Sequence, residues 1–248
     1  MKHGSFNVDS LGAMRIVLVV CFMLSCLFAM ALNSYGDEKY ELMTPDGDEY
    51  VDLGLPSGTL WATCNIGANS PEEYGDYFAW GETTPKDVYN WSNYQYGHDW
   101  NQLTKYCNDA NLGHNGYTDR WLTRLQMMDD AATQVSGGLA YIPTDDQWRE
   151  LIDFTYSERT TINGIKVLRF TSPNGNCLIL PAAGTHVSEK IRGANMSGCY
   201  WCATLGPSQP NYALFFDFLE GYGFGCARCI GLSVRAVCNI FPSRFFQI

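Results

Sequence analysis

The sequence predicts an α+β fold in which one well-marked helix precedes most of the strands. Aromatic residues and glycines are abundant, with 15 Tyr, 13 Phe, 7 Trp and 24 Gly, as is typical of β-rich, loop-rich proteins. A capped helical pattern begins at Thr144, and alternating apolar runs follow Tyr156. A helix early and strands late in the chain indicate small antiparallel sheets, one or two helices and long structured loops.

The early part of the chain predicts one strand and one long loop. The strand is "TLWATCNIG", residues 59–67, which directly follows the turn sequence "LPSG". The stretch Asn69–Trp100 is dense in Gly, Pro, Asn and aromatic residues and has no helical period. We therefore expect a structured loop that is held together by the packing of its rings.

The clearest helix is predicted to begin after Thr144. Its hydroxyl can cap the helix while the side chain of Gln147 returns the hydrogen bond, the arrangement known as a capping box. Asp145 and Asp146 would then lie near the positive end of the helix dipole. Four residues share one face of the helix and are expected to pack on the core: Trp148, Leu151, Ile152 and Thr155.

Five later strands complete the predicted domain. Two lie in "GIKVLRFTSPNGNCLILPAAG" around the turn "SPNGN", and the others are Gly198–Gly206, Tyr212–Gly221 and Gly231–Cys238. In "ALFFDF", the side chains of Leu214, Phe216 and Phe218 alternate with their neighbours and therefore share one side. We interpret residues 49–240 as a single domain followed by a short tail, residues 241–248.

The first 36 residues have the layout of a secretory signal peptide. Arg15 precedes an apolar run, residues 16–32, and small residues follow it. Translation is expected to start at Met14, because the residues before it lack this layout. The prediction is export to the periplasm, cell surface or exterior, with lipid attachment at Cys26 or an uncleaved membrane anchor as alternatives.

Composition narrows the partners of the exported chain. Residues 37–48 are acidic and without a period, so they are predicted to be a linker. The formal net charge is −10, and no cluster of Lys and Arg occurs. Binding to nucleic acid is therefore not expected, since phosphate backbones require such clusters. A membrane would be contacted only through a lipid anchor or an uncleaved signal segment.

Six sequence blocks, in this order, resemble those of a known family: "EYVDLGLPSGTLWATCNIGANSPEEYGDYFAWGET", "LTKYC", "DDAAT", "IPTDDQWRELID", "LPAAG" and "GLSVRAV". The chain resembles the Fibrobacter succinogenes major paralogous domain family over residues 49–238. The resemblance implies a C-type-lectin-like fold, related in architecture to formylglycine-generating enzymes and to the variable proteins of diversity-generating retroelements. It implies fold more than function, because one fold hosts many activities.

Ten cysteines raise the question of a metal or redox site. Eight lie beyond residue 36, and Cys199, Cys202, Cys226 and Cys229 match the spacing of a four-cysteine zinc site. However, "CYWC" is predicted to be part of a strand, which turns residues three apart to opposite faces. Zinc is therefore disfavoured against disulfides or buried thiols, and neither pair precedes a helix as thiol oxidoreductases require. No cofactor is predicted.

Catalysis receives little support from the remaining residues. No nucleophile motif accompanies the three histidines beyond residue 36. The carboxylate pairs Asp129–Asp130 and Asp145–Asp146 are interpreted as helix caps and solvated charges. A copper-dependent oxidase of the formylglycine-generating type, using the late cysteines, is the enzyme alternative that the resemblance implies. We expect a protein without enzymatic activity.

A ligand surface is predicted in the loops between residues 198 and 230. The sequence "QPN", residues 209–211, resembles the motif with which C-type lectins bind Ca²⁺ and sugar, but the companion Trp-Asn-Asp is absent and a turn made by Pro and Asn is the favoured interpretation. Aromatic faces nearby suit sugar rings and protein partners alike. The predicted ligand-binding residues are Trp201, Gln209, Asn211, Tyr212, Glu220 and Tyr222. The ligand would be a glycan or a surface protein, and a purely structural surface role is a further alternative.

Overall fold

Small, mostly antiparallel sheets and two short helices form an α+β fold in the computed structural model, which describes residues 50–218 and 221–239. The described helices are α1 (Ala131–Val135) and α2 (Asp145–Phe154). The first strands are β1 (Tyr50–Asp52), β2 (Thr59–Ala62), β3 (Tyr77–Phe78), β4 (Tyr156–Ile162), β5 (Ile165–Thr171) and β6 (Cys177–Pro181). The later strands are β7 (Thr185–Val187), β8 (Lys190–Arg192), β9 (Cys199–Leu205), β10 (Tyr212–Asp217), β11 (Gly221–Ala227), β12 (Leu232–Ser233) and β13 (Val237–Asn239).

Several predictions concern residues outside the described part of the chain. They are the signal peptide (1–36), the linker (37–48), the tail (241–248) and Glu220. The described residues all belong to one compact unit, Leu42–Ile248.

The sheets are ordered so that late strands pair with early ones. The largest has the order β11-β10-β9-β12-β3, and a second has the order β1-β2-β13. Strands β4, β5 and β6 form a meander, and β7 pairs with β8. All pairings are antiparallel except the short contact between β12 and β9, through Ser233 and Tyr200. The end of the described chain thus returns to its beginning, where β13 lies beside β2.

The capping box at the start of α2 is present as predicted. The hydroxyl of Thr144 accepts from the backbone N–H of Gln147, whose side-chain oxygen accepts from the backbone N–H of Thr144. Trp148 and Leu151 are fully buried, whereas Ile152 is exposed. The face of α2 that packs on the core is therefore narrower than the sequence predicted, because β9 and β10 cover only one stripe of the helix.

Strand β9 separates two apolar clusters. Trp201 and Ala203 face one cluster with β12, while Tyr200 and Cys202 face the other with α2 and β10. Leu214, Phe216 and Phe218 lie together in the second cluster, as their alternation predicted. We call the rings around α2 the apolar core: Trp61, Trp148, Tyr200 and Phe216. There Trp148 stacks on Phe216 at 4.7 Å between ring centroids.

The strand that was predicted over Gly231–Cys238 is interrupted. Residues 234–236 separate β12 from β13, which belong to different sheets. Arg235 is fully buried at this break, where its guanidinium donates to the carbonyls of Ala62 and Thr63 and to the side chain of Asn65. Because a buried guanidinium needs several acceptors at once, the chain gives up strand geometry here. An alternating sequence pattern does not reveal that requirement.

Two further differences concern β4 and β11. The sequence predicted the hairpin of β5 and β6 correctly but assigned no strand to Tyr156–Ile162 or Gly221–Ala227. Six of the seven residues of β4 are exposed on both faces, so it lacks the apolar alternation that identifies a strand. Strand β11 has glycine at three positions, and because glycine has no side chain, its sequence also lacks the apolar alternation that identifies a strand.

Candidate ligand-binding cleft

A cleft of about 610 Å³ opens between the loop that joins β9 to β10 and the loops of residues 91–112. This volume is in the range of small-ligand sites. The early wall of the cleft is formed by Trp91, Trp100, Asp109 and Leu112. The late wall is formed by Ser208, Gln209, Asn211, Tyr212 and Ala227. The two walls therefore come from distant parts of the chain. Trp91 and Ser208, for example, are more than a hundred residues apart.

A tight turn shapes the late wall. The backbone N–H of Tyr212 donates to the carbonyl of Gln209 at 2.9 Å, and the N–H of Gly206 donates to the carbonyl of Tyr212 at 2.9 Å. A Cβ atom at Gly206 would lie 2.8 Å from that carbonyl oxygen, so a larger residue would force the turn to shift. This turn places Asn211 at the base of the wall.

Asn211 carries a polar atom that lacks a partner. The residue is 8% exposed, and no described residue donates a hydrogen bond to its buried Oδ1 atom. Leaving a buried acceptor unpaired costs about 1–3 kcal/mol. A rotation of the side chain that brought this oxygen to the cleft, where a bound hydroxyl could donate to it, would recover that free energy.

The early wall presents aromatic faces and one carboxylate. Trp91 packs edge-on against Tyr94 with 5.4 Å between ring centroids, and Trp100 remains 49% exposed. The side chain of Asp109 accepts from the backbone N–H of Asn111 at 2.9 Å, which holds the carboxylate against its own loop. Two indole rings and a fixed acceptor therefore face the cleft.

The loop that carries Asp109 is tied at its base. Cys107 and Thr118 exchange two backbone hydrogen bonds, and the thiol of Cys107 donates to the carbonyl of Asp109 at 3.1 Å. Within the loop, a Cβ atom at Gly113 would lie 1.5 Å from the carbonyl oxygen of Gly116, so only glycine fits there. Because its base and its interior are both constrained, this loop holds the early wall of the cleft in one position.

Arg228 links the two walls from below. It is fully buried, and its Nε atom donates to the hydroxyl of Tyr94 at 2.9 Å. Its terminal nitrogens donate to the carbonyl of Pro210 (2.9 Å) in the late loop and to those of Lys105 (3.1 Å) and Tyr106 (3.3 Å) in the early loops. One side chain between two cysteines of "CARC" thus fixes both walls through directional bonds.

Asp129 is linked to this arginine through Lys105 and Tyr106, which contact both, and it is not the solvated charge that the sequence predicted. It is 3% exposed and accepts from the ammonium of Lys105 at 2.5 Å and from the hydroxyls of Tyr106 and Tyr96. Burial raises the pKa of this carboxyl, but the hydrogen bonds from Lys105, Tyr106 and Tyr96 together outweigh it and hold the pKa below its usual value. The group remains ionised.

We call this hydrogen-bonded group the polar core: Tyr94, Tyr96, Lys105, Tyr106, Asp129 and Arg228. Burial is the main cause that raises the pKa of both Tyr94 and Tyr106, so their hydroxyls stay protonated and able to donate. The polar core therefore carries two buried charges of opposite sign without exposing either one to the cleft.

The geometry suits noncovalent recognition of a small polar ligand. Rings from both walls can stack on an apolar face, while amide and carboxylate oxygens can accept from hydroxyls. The residues that line the cleft in the described part of the chain include no Lys or Arg.

Three of the predicted ligand residues lie together in the late wall: Gln209, Asn211 and Tyr212. Trp201 was predicted wrongly, because it is fully buried and its indole N–H donates to the carbonyl of Phe78 at 2.6 Å. Glu220 and the side chain of Tyr222 lie outside the described residues, although the backbone of Tyr222 pairs with Phe216 in β11.

The whole early wall was missed from the sequence. Trp91 and Trp100 lie in the stretch that was predicted to be a ring-packed loop, so their residue types offered a signal. Nothing in the sequence indicated that this loop would face residues 208–212. That proximity depends on Arg228, whose partners other than Tyr94 are backbone carbonyls and leave no sequence pattern.

The late cysteines do not converge on one point. Cys199 and Cys202 face opposite sides of β9, as the strand pattern predicted. Cys226 lies in β11, and Cys229 follows it in a turn that packs on a separate cluster. In the described residues no three His, Cys, Asp or Glu side chains gather as metal ligands would.

These thiols are also poor nucleophiles where they lie. Burial raises the pKa of Cys202 and of Cys226 to about 12. Burial and then a hydrogen bond to Asp217 raise the pKa of Cys199 further. All eight described cysteines are unpaired thiols.

The described helices α1 and α2 are too short and too polar to cross a membrane. Comparison of the chain with protein families, curated proteins and solved structures gave no match.

Proposed function

We propose that the chain is an exported, surface-associated module that binds a glycan in the cleft and performs no catalysis. The observation that carries this proposal is the composition of the cleft. Trp91, Trp100 and Tyr212 offer ring faces, and the Oδ1 atom of Asn211, which a side-chain rotation would bring to the cleft, lacks a donor. A sugar supplies both an apolar face and hydroxyl donors, so one ligand satisfies both features.

The proposal includes a C-type-lectin-like fold and membership of the major paralogous domain family. Support comes from the six ordered sequence blocks, the small antiparallel sheets and the long loops between β3 and α1. The pairing of β13 with β2 brings the two ends of the described domain together, which agrees with a single domain over residues 49–240. Export is supported by the apolar run of residues 16–32.

A protein ligand is the alternative occupant of the same cleft. Its concave shape and its volume of about 610 Å³ favour a small ligand, because stable protein interfaces are larger and flatter. An oxidase that used the late cysteines would need thiolates that lie close together. Burial raises the pKa of the thiols of Cys199, Cys202 and Cys226, which disfavours thiolates there, so that alternative gains no support.

The test is binding of the purified protein to an array of neutral oligosaccharides, with Ca²⁺ and with EDTA. A hit is then measured by calorimetry with Trp100→Ala and Asn211→Leu, which should each weaken binding about tenfold, or about 1.4 kcal/mol. Asn211→Leu should fold normally, because the oxygen that it removes has no described partner. Tyr156→Ala is the matched control, since Tyr156 is 69% exposed and lies outside the cleft.

Two results would count against the proposal. If the protein bound no oligosaccharide on the array, either with Ca²⁺ or with EDTA, the result would favour a structural role or a protein ligand. Equal binding by the wild type and Trp100→Ala would place any sugar site elsewhere. The arm with EDTA decides separately whether Gln209 and Asn211 act through Ca²⁺ or directly.

A further inference from the structure

A second exposed aromatic group lies beyond the loop of the early wall. The backbone N–H of Leu122 donates to the carbonyl of Asp119 at 2.8 Å, which closes a turn with Arg120 and Trp121 at its corners. Asp119 has a φ of 50°, in the left-handed region that residues other than glycine enter at a cost. The turn therefore holds two large side chains outward at a fixed point.

Arg120 is held by rings and not by a carboxylate. Its guanidinium carbon lies 4.9 Å from the ring centre of Tyr117 and 4.4 Å from that of Trp121. These rings are 55% and 80% exposed. Within the described part of the chain no acidic group lies within ion-pairing distance of Arg120, whereas Arg124 and Arg169 each have one.

We propose that this aromatic platform, which consists of Tyr117, Arg120 and Trp121, binds the uronate residues of an anionic polysaccharide. The sugar carboxylate accepts from the edge of the Arg120 guanidinium, whose planar fork matches carboxylate geometry. The apolar face of the sugar ring lies on the exposed indole of Trp121.

The small size of the platform favours a repeating ligand over a protein partner. Three side chains on a convex turn offer far less than the roughly 1,200 Å² that a specific protein interface buries. A polymer with a carboxylate on every unit can rebind as each contact is lost, which offsets weak single contacts. The net charge of −10 would repel such a polymer over most of the surface and leave this turn as a favourable point of contact.

The platform and the cleft should therefore have opposite charge preferences. Asp109 and the absence of Lys and Arg among the described lining residues make the cleft unfavourable for an anionic sugar. Arg120 makes the platform favourable for one.

The experiment measures calorimetric binding of oligogalacturonate and of a neutral galacto-oligosaccharide of equal length to the purified protein. The wild type should bind oligogalacturonate about tenfold more tightly than the neutral ligand at low salt. Arg120→Met and Trp121→Ala should each weaken oligogalacturonate binding about tenfold, and Arg120→Lys by a smaller factor. Tyr156→Ala, which changes an exposed ring outside both the cleft and the platform, should leave it unchanged.

Each other outcome overturns the proposal. Full binding of oligogalacturonate by Arg120→Met, or no binding by the wild type, removes the platform as an anion site. Equal binding of poly-L-glutamate together with full binding by Trp121→Ala would show that a carboxylate suffices, which favours an acidic protein over a sugar. Arg120 and Trp121 are exposed, so unchanged thermal unfolding should confirm that the variants fold. Loss of neutral-sugar binding in the cleft would leave this result unaffected.

Discussion

The apolar core and the polar core hold two regions of the domain together by different forces. Around α2, Trp148 packs against Phe216 and Trp61, each at 4.7 Å between centroids, and burial of ring surface supplies the stability. Below the cleft, Arg228 and Asp129 are buried charges whose partners are carbonyls, hydroxyls and one ammonium.

This difference has a consequence for function. Contacts in the apolar core depend on volume and tolerate small shifts, whereas hydrogen bonds to a guanidinium fix direction and distance. The loops that form the cleft are therefore positioned by the kind of interaction that specifies geometry. A site that is held ready in this way loses less entropy when a ligand binds.

The largest expected effect lies in the apolar core. Trp148→Ala should lower the free energy of unfolding by about 4–5 kcal/mol, since a fully buried indole that contacts three other rings is replaced by a cavity. Urea unfolding monitored by circular dichroism measures this loss. Trp121→Ala, at an exposed position, should cost less than about 0.5 kcal/mol. A loss below about 2 kcal/mol for Trp148→Ala would mean that the region does not depend on this ring.

The second-largest expected effect lies in the polar core, and the place where hydrogen exchange accelerates should distinguish the two cores. Arg228→Met removes every donor to Pro210, Lys105 and Tyr106, so we expect a loss of about 3 kcal/mol. Hydrogen exchange should accelerate in residues 94–112 and 206–211, while amides of β9 and β10 keep their protection.

Two variants sharpen this experiment. Arg228→Lys should recover little stability, because an ammonium cannot reach four acceptors in the positions of a planar fork. Arg124→Met removes an exposed ion pair with Asp146 and should cost less than about 0.5 kcal/mol. If Arg228→Met lost protection equally in β9, the two cores would form one cooperative unit and the distinction between them would fail.

The same contrast explains what the sequence could predict. The cap at Thr144 and the two faces of β9 follow from spacing within a few residues, and both were predicted correctly. The role of Arg228 was not predicted, because apart from Tyr94 its partners are the backbone carbonyls of residues 105, 106 and 210. Carbonyl acceptors are identical along every chain, so sequence does not show which of them will meet a buried cation.

Asp129 is a second residue whose surroundings could not be predicted from the sequence. The pair Asp129–Asp130 was interpreted as cap and solvated charge, and Asp130 does cap α1 by accepting from the N–H of Thr133. Its neighbour is instead buried among residues 96–106. Adjacent carboxylates with different surroundings cannot be told apart by residue type. Half of the cleft was missed for the same reason, since its early wall is defined by distant contacts.

The smallest of the three effects depends on pH. Asp129→Asn should cost about 2 kcal/mol at neutral pH, because it removes the ionised acceptor of Lys105, Tyr96 and Tyr106. Asp146→Asn is the matched control at an exposed site and should cost less than about 0.5 kcal/mol. Urea unfolding at a series of pH values measures both.

The direction in which the stability difference changes with pH shows whether the charge of Asp129 is responsible for it. Since the pKa of Asp129 is lower in the folded protein than in the unfolded chain, its contribution is complete above the unfolded value of about 3.9 and is lost as pH falls through the folded value. The wild type and Asp129→Asn should therefore converge in stability below about pH 4. Burial raises the pKa of Asp130, which acts in the opposite direction, but both proteins retain Asp130 and the difference between them isolates Asp129. A difference that stayed constant with pH would show that shape and not charge makes Asp129 important, and the polar core would then resemble the apolar one.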